Sequence, residues 1–574
     1  MHRRRILSGL IALPAALALT AAARPARAAT PSTARPAGDP QATRPNIVFI
    51  LGDDFGWTDV STPRTNLGNP SDYYETPAIE RLAQEGTAFD NAYASPNCSP
   101  SRAALLTGLY AVRPENNVYT VGGLNRGGDN TLLVGPAEGR ADGADVLPTN
   151  AVTIGNSLQR AGYRTGYIGK FHVTRTSADI TTAFGFDENF GGSGAGDPGS
   201  YHAGNGHFGP NISPELDAFA ADYTQSYVDQ HIKPYTRNID PAAVDALVGT
   251  PKHVTDAVAD ATIDFVDRHK SGRFFAFMAH YAVHEPVGDV QARADLLAKY
   301  QAKKPGTGPS VPAYGALGEG LDQSVGRVID YLRTTADPNN PGHPLSDNTI
   351  VVITGDNGGL GLYTDNGPLR GQKGELHEGG IRVPLIAWST NPALVQGNTV
   401  NHTPVYVTDY HPTFAALAGA ALPAGRPLDG VDLSRLFADA TAGLDRDALY
   451  WHLPGYLVDG RRDQRPQSVI RSGQWKLLYS YEDLSWELYD LTADIGETRN
   501  LAADRPDLVH LLGHKLIRWL SDANAPLATL REGRPPLTFT VTGTTYANGR
   551  TRHLNAATLV VQPGEQLPLV LQRH

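Results

Sequence analysis

A chain of 574 residues is longer than one hydrophobic core usually serves, so one large and one smaller domain are expected. With 41% hydrophobic and 19% charged residues it has the balance of a globular enzyme, and a net charge of −10 with no basic run beyond the N-terminus excludes nucleic acid as an expected partner. A single cysteine excludes an intramolecular disulfide framework and a thiolate metal cage.

Residues 1–28 have the pattern of a signal peptide. His2-Arg3-Arg4-Arg5 is a positive start, Ile6 to Ala23 is apolar, and Ala26-Arg27-Ala28 resembles a cleavage site. Pro14 and the small residues disfavour a stable membrane anchor. The adjacent arginines suggest a twin-arginine signal, hence an exported protein, secreted or periplasmic. Residues 29–45, rich in Ala, Thr and Pro, read as a flexible leader.

Asn46 to Leu51 is a continuous apolar, β-branched run, as expected of a strand buried on both faces of a parallel sheet. It ends in Gly52-Asp53-Asp54. Ligands of open α/β sheets bind beyond the carboxyl ends of strands, so two acids there are placed for a metal, against the plainer reading of a solvated turn. Thr76 to Gly86 reads as a helix with proline at its first position. Cys98-Ser99-Pro100-Ser101-Arg102 follows, turning directly into the apolar run Ala103 to Leu106. Cys98 is therefore expected where a loop enters a helix N-terminus, beside free N–H donors. The plainer reading is a small buried hydrophobe.

Residues 121–147 and 191–210 are Gly-rich loops, with Tyr201, His202 and His207 as candidate substrate contacts. Between them, Val152 to Ala161 reads as a helix and Thr165 to Ile168 as a strand opening into Gly169-Lys170-Phe171-His172. Lys170 and His172 stand two apart, so in extended chain they face one side. Val254 to Lys270 is helical, and Phe274 to Ala279 is another buried strand leading to His280 and His284. Gly318 to Thr334 is an amphipathic helix. Thr349 to Thr354 is a further buried strand, ending in Gly355-Asp356-Asn357, and Lys373, Glu378 and Arg382 follow in a Gly-rich block. From about Asp445 short alternating strands around 468–471, 475–479 and 486–490 predict an antiparallel meander, with a helix over Asp507 to Asn524 packed on it. The Thr/Val/Leu-rich tail predicts one or two more strands.

The stretch Cys98 to Gly108 matches the Cys-x-Pro-Ser-Arg-x-x-x-x-Thr-Gly signature of type I sulfatases. Gly169-Lys170-Phe171-His172, His284-Glu285-Pro286, Asp356-Asn357-Gly358 and the 373–384 block resemble that family's further motifs; Val283 stands where the family usually has proline, and His377 where an aromatic residue is common. The resemblance spans residues 45–525. It implies an alkaline-phosphatase-like α/β sandwich with a large, mostly parallel sheet and a small C-terminal antiparallel subdomain. The expected divisions are a catalytic domain at 46–440, a C-terminal subdomain at 441–534 and an extension at 535–574.

The resemblance also implies a mechanism. A formylglycine-generating enzyme oxidises Cys98 to formylglycine, whose hydrate attacks the sulfur of an aryl or carbohydrate sulfate ester. Asp356 accepts the proton of the attacking hydroxyl, and Arg102, Lys170, His172, His284 and Lys373 surround the anion. His284, aided by Lys373, protonates the departing alcohol; His172 then takes the second hydroxyl's proton, so that sulfate leaves and the aldehyde returns. Asp53, Asp54, Asp356 and Asn357 are the expected metal ligands. Four oxygen donors select a hard divalent cation, calcium before magnesium, because little room remains for magnesium's water shell. Glu378 and Arg382 are expected to form a semi-buried structural pair. The alternatives are a formylglycine-dependent phosphonate or phosphodiester hydrolase of the same fold and, more remotely, a non-catalytic binder of sulfated glycans.

Overall fold

The computed structural model describes residues 44–119, 128, 130–137, 145–458 and 463–572. The expected signal peptide, the leader up to residue 43 and much of the 121–147 loop lie outside the described residues. From Arg44 onward the chain forms one compact unit.

At its centre is an eight-stranded sheet in the order 399–401, 87–89, 385–388, 349–355, 46–52, 274–279, 164–169 and 188–190. Asn46–Gly52 pairs in parallel with both Thr349–Gly355 and Phe274–Ala279. Leu385–Trp388 runs against its two neighbours, and the other pairings are parallel. The apolar runs are continuous because both faces of these strands are covered. In Asn46–Gly52, Ile47, Phe49 and Leu51 join one core, and Val48 and Ile50 join another on the opposite face. Each side chain so removed from water contributes about 1.5–3 kcal/mol.

Helices Cys98–Thr107, Ile154–Arg160 and Tyr410–Ala418 pack on the first face. Pro77–Glu85, Val254–His269 and Pro312–Thr334 pack on the second. The last of these begins six residues before the expected Gly318. Its early glycine, Gly315, is a packing residue rather than a helix breaker, since a Cβ there would stand 2.7 Å from the ring of Tyr300. The N-terminus of Pro77–Glu85 is capped from a distance: Asp322 accepts the backbone N–H groups of Ala78 and Ile79 at 3.0 and 2.8 Å.

The C-terminal meander is present as an antiparallel sheet of Leu449–Leu453, Gln467–Ser472, Trp475–Ser480 and Ser485–Asp490. Helix Pro506–Asp522 covers it, and Trp451, Ile470, Leu477 and Leu516 share the core of the first face. The tail builds three strands where one or two were expected, Leu537–Ala547 with Arg550–Val561 and Leu569–Gln572 on either side. Among the described residues no helix is long and apolar enough to cross a membrane.

Candidate active site

Four loops leave the carboxyl ends of adjacent parallel strands and bring the candidate residues together. Asp53 and Asp54 follow the central strand 46–52, Asp356 and Asn357 follow 349–355, Lys170 and His172 follow 164–169, and His284 follows 274–279. Gly169 makes the third of these turns possible. Its φ is +98°, and a Cβ there would overlap the carbonyl oxygen of Ala279. Asp54 and His172 also adopt left-handed backbone, with φ of 57° and 73°. For residues other than glycine this costs on the order of 1–3 kcal/mol each and is concentrated at functional sites.

The fifth contribution comes from the sheet's flank. Cys98 opens helix Cys98–Thr107 and is 3% exposed. Its Sγ, a carboxylate oxygen of Asp53 and a ring nitrogen of His284 all lie within 4.8 Å of one another. Burial raises the Cys98 thiol, but the Lys170 and Lys373 charges and a hydrogen bond with His284 outweigh it and bring it down to about 6.

Three cations face three carboxylates. Lys170 Nζ lies 2.6 Å from Asp53, and Lys373 Nζ lies 2.7 Å from Asp54. Arg102 Nε donates to Asp356 Oδ2 at 2.9 Å, and its guanidinium also reaches Asp53 at 3.6 Å and the carbonyl oxygen of Lys170. Arg102, expected among the groups around the substrate anion, faces Asp356 and Asp53 here. It is 1% exposed; its Nε and Nη1 donate to Asp356 and to the Lys170 carbonyl, while Nη2, 2.9 Å from Asp356 Oδ2, makes no hydrogen bond.

Burial, reinforced by neighbouring carboxylates, pushes Asp53 and Asp356 up to about 6 despite the Arg102 and Lys170 charges. For Asp54, burial is outweighed by Lys373, His284 and Lys170, which hold it below the usual carboxylate range. His172 is pushed down to about 3 by burial and by the Lys170 and Arg102 charges, so it stays neutral. His284 Nδ1 bonds the carbonyl oxygen of Glu285 at 2.8 Å, leaving Nε2 on the Asp54 side, 3.8 Å from its Oδ2.

The donor set fits a divalent cation. Asp53, Asp54 and Asp356 each offer a carboxylate oxygen within 4.8 Å of the others. Asp53 Oδ1 and Asn357 Oδ1 are buried and accept no hydrogen bond. Oxygen donors alone suit a hard ion.

Of the candidate substrate contacts in the 191–210 loop, Tyr201 proves to be a support. It is fully buried, and its hydroxyl lies 2.7 Å from the carbonyl oxygens of both Tyr281 and His284, holding the turn that presents His284. His207 pairs with Asp217 at 2.9 Å, and the His202 ring packs edge-on against His253. Sequence reasoning missed Ser99 and Asp145. Ser99 Oγ lies 3.3 Å from both His172 Nε2 and Asp145 Oδ2. No motif marks Asp145, whose place depends on the path of a long loop. His280, directly after the strand that leads to His284, is fully buried with Nε2 at 3.0 Å from Ser324 Oγ. Glu378 and Arg382 do pair, but wholly buried rather than semi-buried, because the C-terminal sheet covers them.

Fold and cluster together define an ester hydrolase for small oxyanions. The Sulfatase family model matches residues 45–420, and that of the N-sulphoglucosamine sulphohydrolase C-terminal region matches 372–521. The chain belongs to the sulfatase family, enzymes that hydrolyse sulfuric esters. It is 39% identical over 513 residues to a sulfatase of Formosa agariphila, covering 84% of this chain and 90% of that protein. It is 31% identical over 398 residues to the N-acetylgalactosamine-6-sulfatase of Homo sapiens, covering 68% of this chain and 65% of the human protein's length. A solved structure of Ps i-CgsB in complex with k-i-k-neocarrahexaose superposes with a TM-score of 0.58 at 27% identity, covering 83% of this chain and 92% of the other.

Proposed function

We propose that this sulfatase releases inorganic sulfate from a carbohydrate sulfate ester, using formylglycine made from Cys98 and a divalent cation, calcium by preference. The observation that carries the reading is the position of Cys98: a lone, buried cysteine at a helix start, within 4.8 Å of Asp53 and His284. The carbohydrate class rests on the relatives, one named for N-acetylgalactosamine-6-sulfate and one solved with a neocarrahexaose. The Cys98 signature supports maturation by a formylglycine-generating enzyme, and the N-terminal segment supports export.

Asp53, Asp54, Asp356 and Asn357 would hold the cation, which when bound supplies positive charge that offsets the ester's negative oxygens. The hydrated aldehyde at position 98 supplies two hydroxyls, one to attack sulfur and one whose deprotonation lets sulfate leave. Asp356, pushed up toward neutrality by burial, is the base for the first hydroxyl. Arg102 keeps it aimed by its 2.9 Å bond. The three cations and three carboxylates balance formally, so a dication leaves the site positive and selects an anionic ester. Lys170 and Lys373 then hold sulfate oxygens. His284 protonates the departing alcohol through Nε2, its Nδ1 being fixed on Glu285, and neutral His172 accepts the proton of the second hydroxyl.

The test presents one aryl group as its sulfate, phosphodiester and phosphonate, together with sulfated monosaccharides. The expected result is turnover of the sulfates, lost on chelation and restored by calcium. Preferential turnover of the phosphonate or phosphodiester would transfer the chain to that activity.

A further inference from the structure

Asp59 lies five residues beyond Asp54, is 2% exposed, and takes part in none of the steps above. Both of its carboxylate oxygens serve as acceptors. Oδ2 takes the backbone N–H of Gly56 at 2.7 Å and the hydroxyl of Tyr314 at 2.8 Å. Oδ1 takes the hydroxyl of Thr364. These three donors come from the loop of Asp53 and Asp54, from helix Pro312–Thr334, and from the chain that follows Asp356 and Asn357.

The two ligand-bearing loops touch at this point. A Cβ on Gly56 would stand 2.6 Å from the backbone nitrogen of Gly359, and one on Gly359 would stand 3.2 Å from Asp59 Oδ2. The carbonyl oxygen of Gly359 in turn accepts Asn366 Nδ2 at 2.9 Å and the backbone N–H of Lys373 at 3.1 Å. Tyr314 Oη lies 3.3 Å from the carbonyl oxygen of Asp54 itself. One carboxylate therefore sits at the junction of the segments that carry Asp54, Asn357 and Lys373.

We infer that Asp59 is a positioning residue for the divalent cation, fixing the spacing between the Asp53–Asp54 and Asp356–Asn357 donor pairs. The inference rests on the cation reading of the site. Asparagine is a poorer holder than aspartate: its NH2 cannot face the Gly56 N–H, and facing Thr364 it needs that hydroxyl to turn from donor to acceptor, while the charge that strengthens all three bonds is lost. Groups that orient metal ligands typically change metal affinity about 10- to 100-fold when mutated.

The test titrates calcium directly into metal-stripped full-length protein by calorimetry, for wild type, Asp59→Asn, Tyr314→Phe and Thr364→Val, with Asp54→Ala as the ligand-loss reference. The melting temperature of each is read with and without calcium. Asp59→Asn is expected to bind calcium about 10- to 100-fold more weakly than wild type, and Tyr314→Phe to shift in the same direction by less. The calcium-induced rise in melting temperature should shrink in parallel. Should Asp59→Asn fail to fold, the two hydroxyl variants decide. Wild-type affinity in the variants that fold, with only a lower melting temperature, would make Asp59 a structural staple and overturn the inference. Wild-type protein that takes up no calcium would instead overturn the cation reading itself.

Discussion

Two buried ionic clusters lie on either side of the segment that leads to Cys98, and they are built to opposite ends. The catalytic cluster sets Asp53, Asp54 and Asp356 against Arg102, Lys170 and Lys373. The junction cluster joins the C-terminal sheet to the catalytic unit. Lys476 lies 2.9 Å from Glu378 and 2.8 Å from Glu497, and Arg382 and the Tyr93 hydroxyl both bond Glu378. Arg471 bonds Tyr93 in turn, five residues before Cys98. In the junction the cations win: Lys476, Arg382 and Arg471 outweigh burial and hold Glu378 well below the usual carboxylate range. In the catalytic cluster the outcome is split: burial wins at Asp53 and Asp356, which rise to about 6, while Lys373, His284 and Lys170 hold Asp54 below the usual carboxylate range. A cluster whose charges are answered from within stabilises the fold. One that keeps carboxylates raised beside its own cations is arranged for partners from outside.

The sharpest way to break this contrast is to remove one lysine from each cluster. Lys373→Ala should cost about 10²–10³-fold in kcat because the group acts on developing charge, and with the cation bound to Asp54 it should destabilise less than the loss of Lys476. Lys476→Ala should destabilise the protein by about 3–5 kcal/mol, since buried Glu497 loses its cation and buried Glu378 one of its two, with kcat per folded molecule nearly unchanged. Thermal unfolding and active-site-normalised kinetics on both variants check this; a swap of the two phenotypes would erase the distinction.

Within the catalytic cluster the two histidines should separate by substrate. His284→Ala should show a steeper dependence of rate on leaving-group pKa across a series of aryl sulfates, because poor leaving groups need the proton most. His172→Ala should slow all members alike. The steeper slope in His172→Ala would exchange the roles.

A smaller effect is expected in the junction's acid response. The folded pKa of Glu378 lies below its unfolded value of 4.5, so its contribution to stability is present above that pH and is lost as pH falls below it. The melting temperature of Glu378→Gln should therefore fall less steeply than that of wild type below pH 4.5. Equal slopes would remove Glu378 from the account.

The parallel sheet was legible because strands buried on both faces are written as unbroken apolar runs, as in Asn46–Leu51 and Phe274–Ala279. Acids directly after such runs marked the site's position. What could not be read depended on approach in three dimensions. Arg102 belongs to the nucleophile's signature, yet only the packed structure turns its guanidinium to Asp356. Tyr201, in a Gly-rich loop, has no periodicity to show that it lies beneath His284. Asp59 stands in a polar turn, and its donors come from helix Pro312–Thr334 and from residue 364. The C-terminal strand Leu449–Leu453 escaped notice, and the tail's third strand depends on pairing with Leu537–Ala547.

The central claim is that the chemistry at position 98 belongs to an aldehyde rather than a thiol. Peptide mass spectrometry of residue 98 in protein purified with full activity tests it most directly. The predicted result is a CHO group in place of CH2SH, with specific activity rising in proportion to the converted fraction across preparations. Full activity in protein whose Cys98 is entirely unmodified thiol would contradict the account.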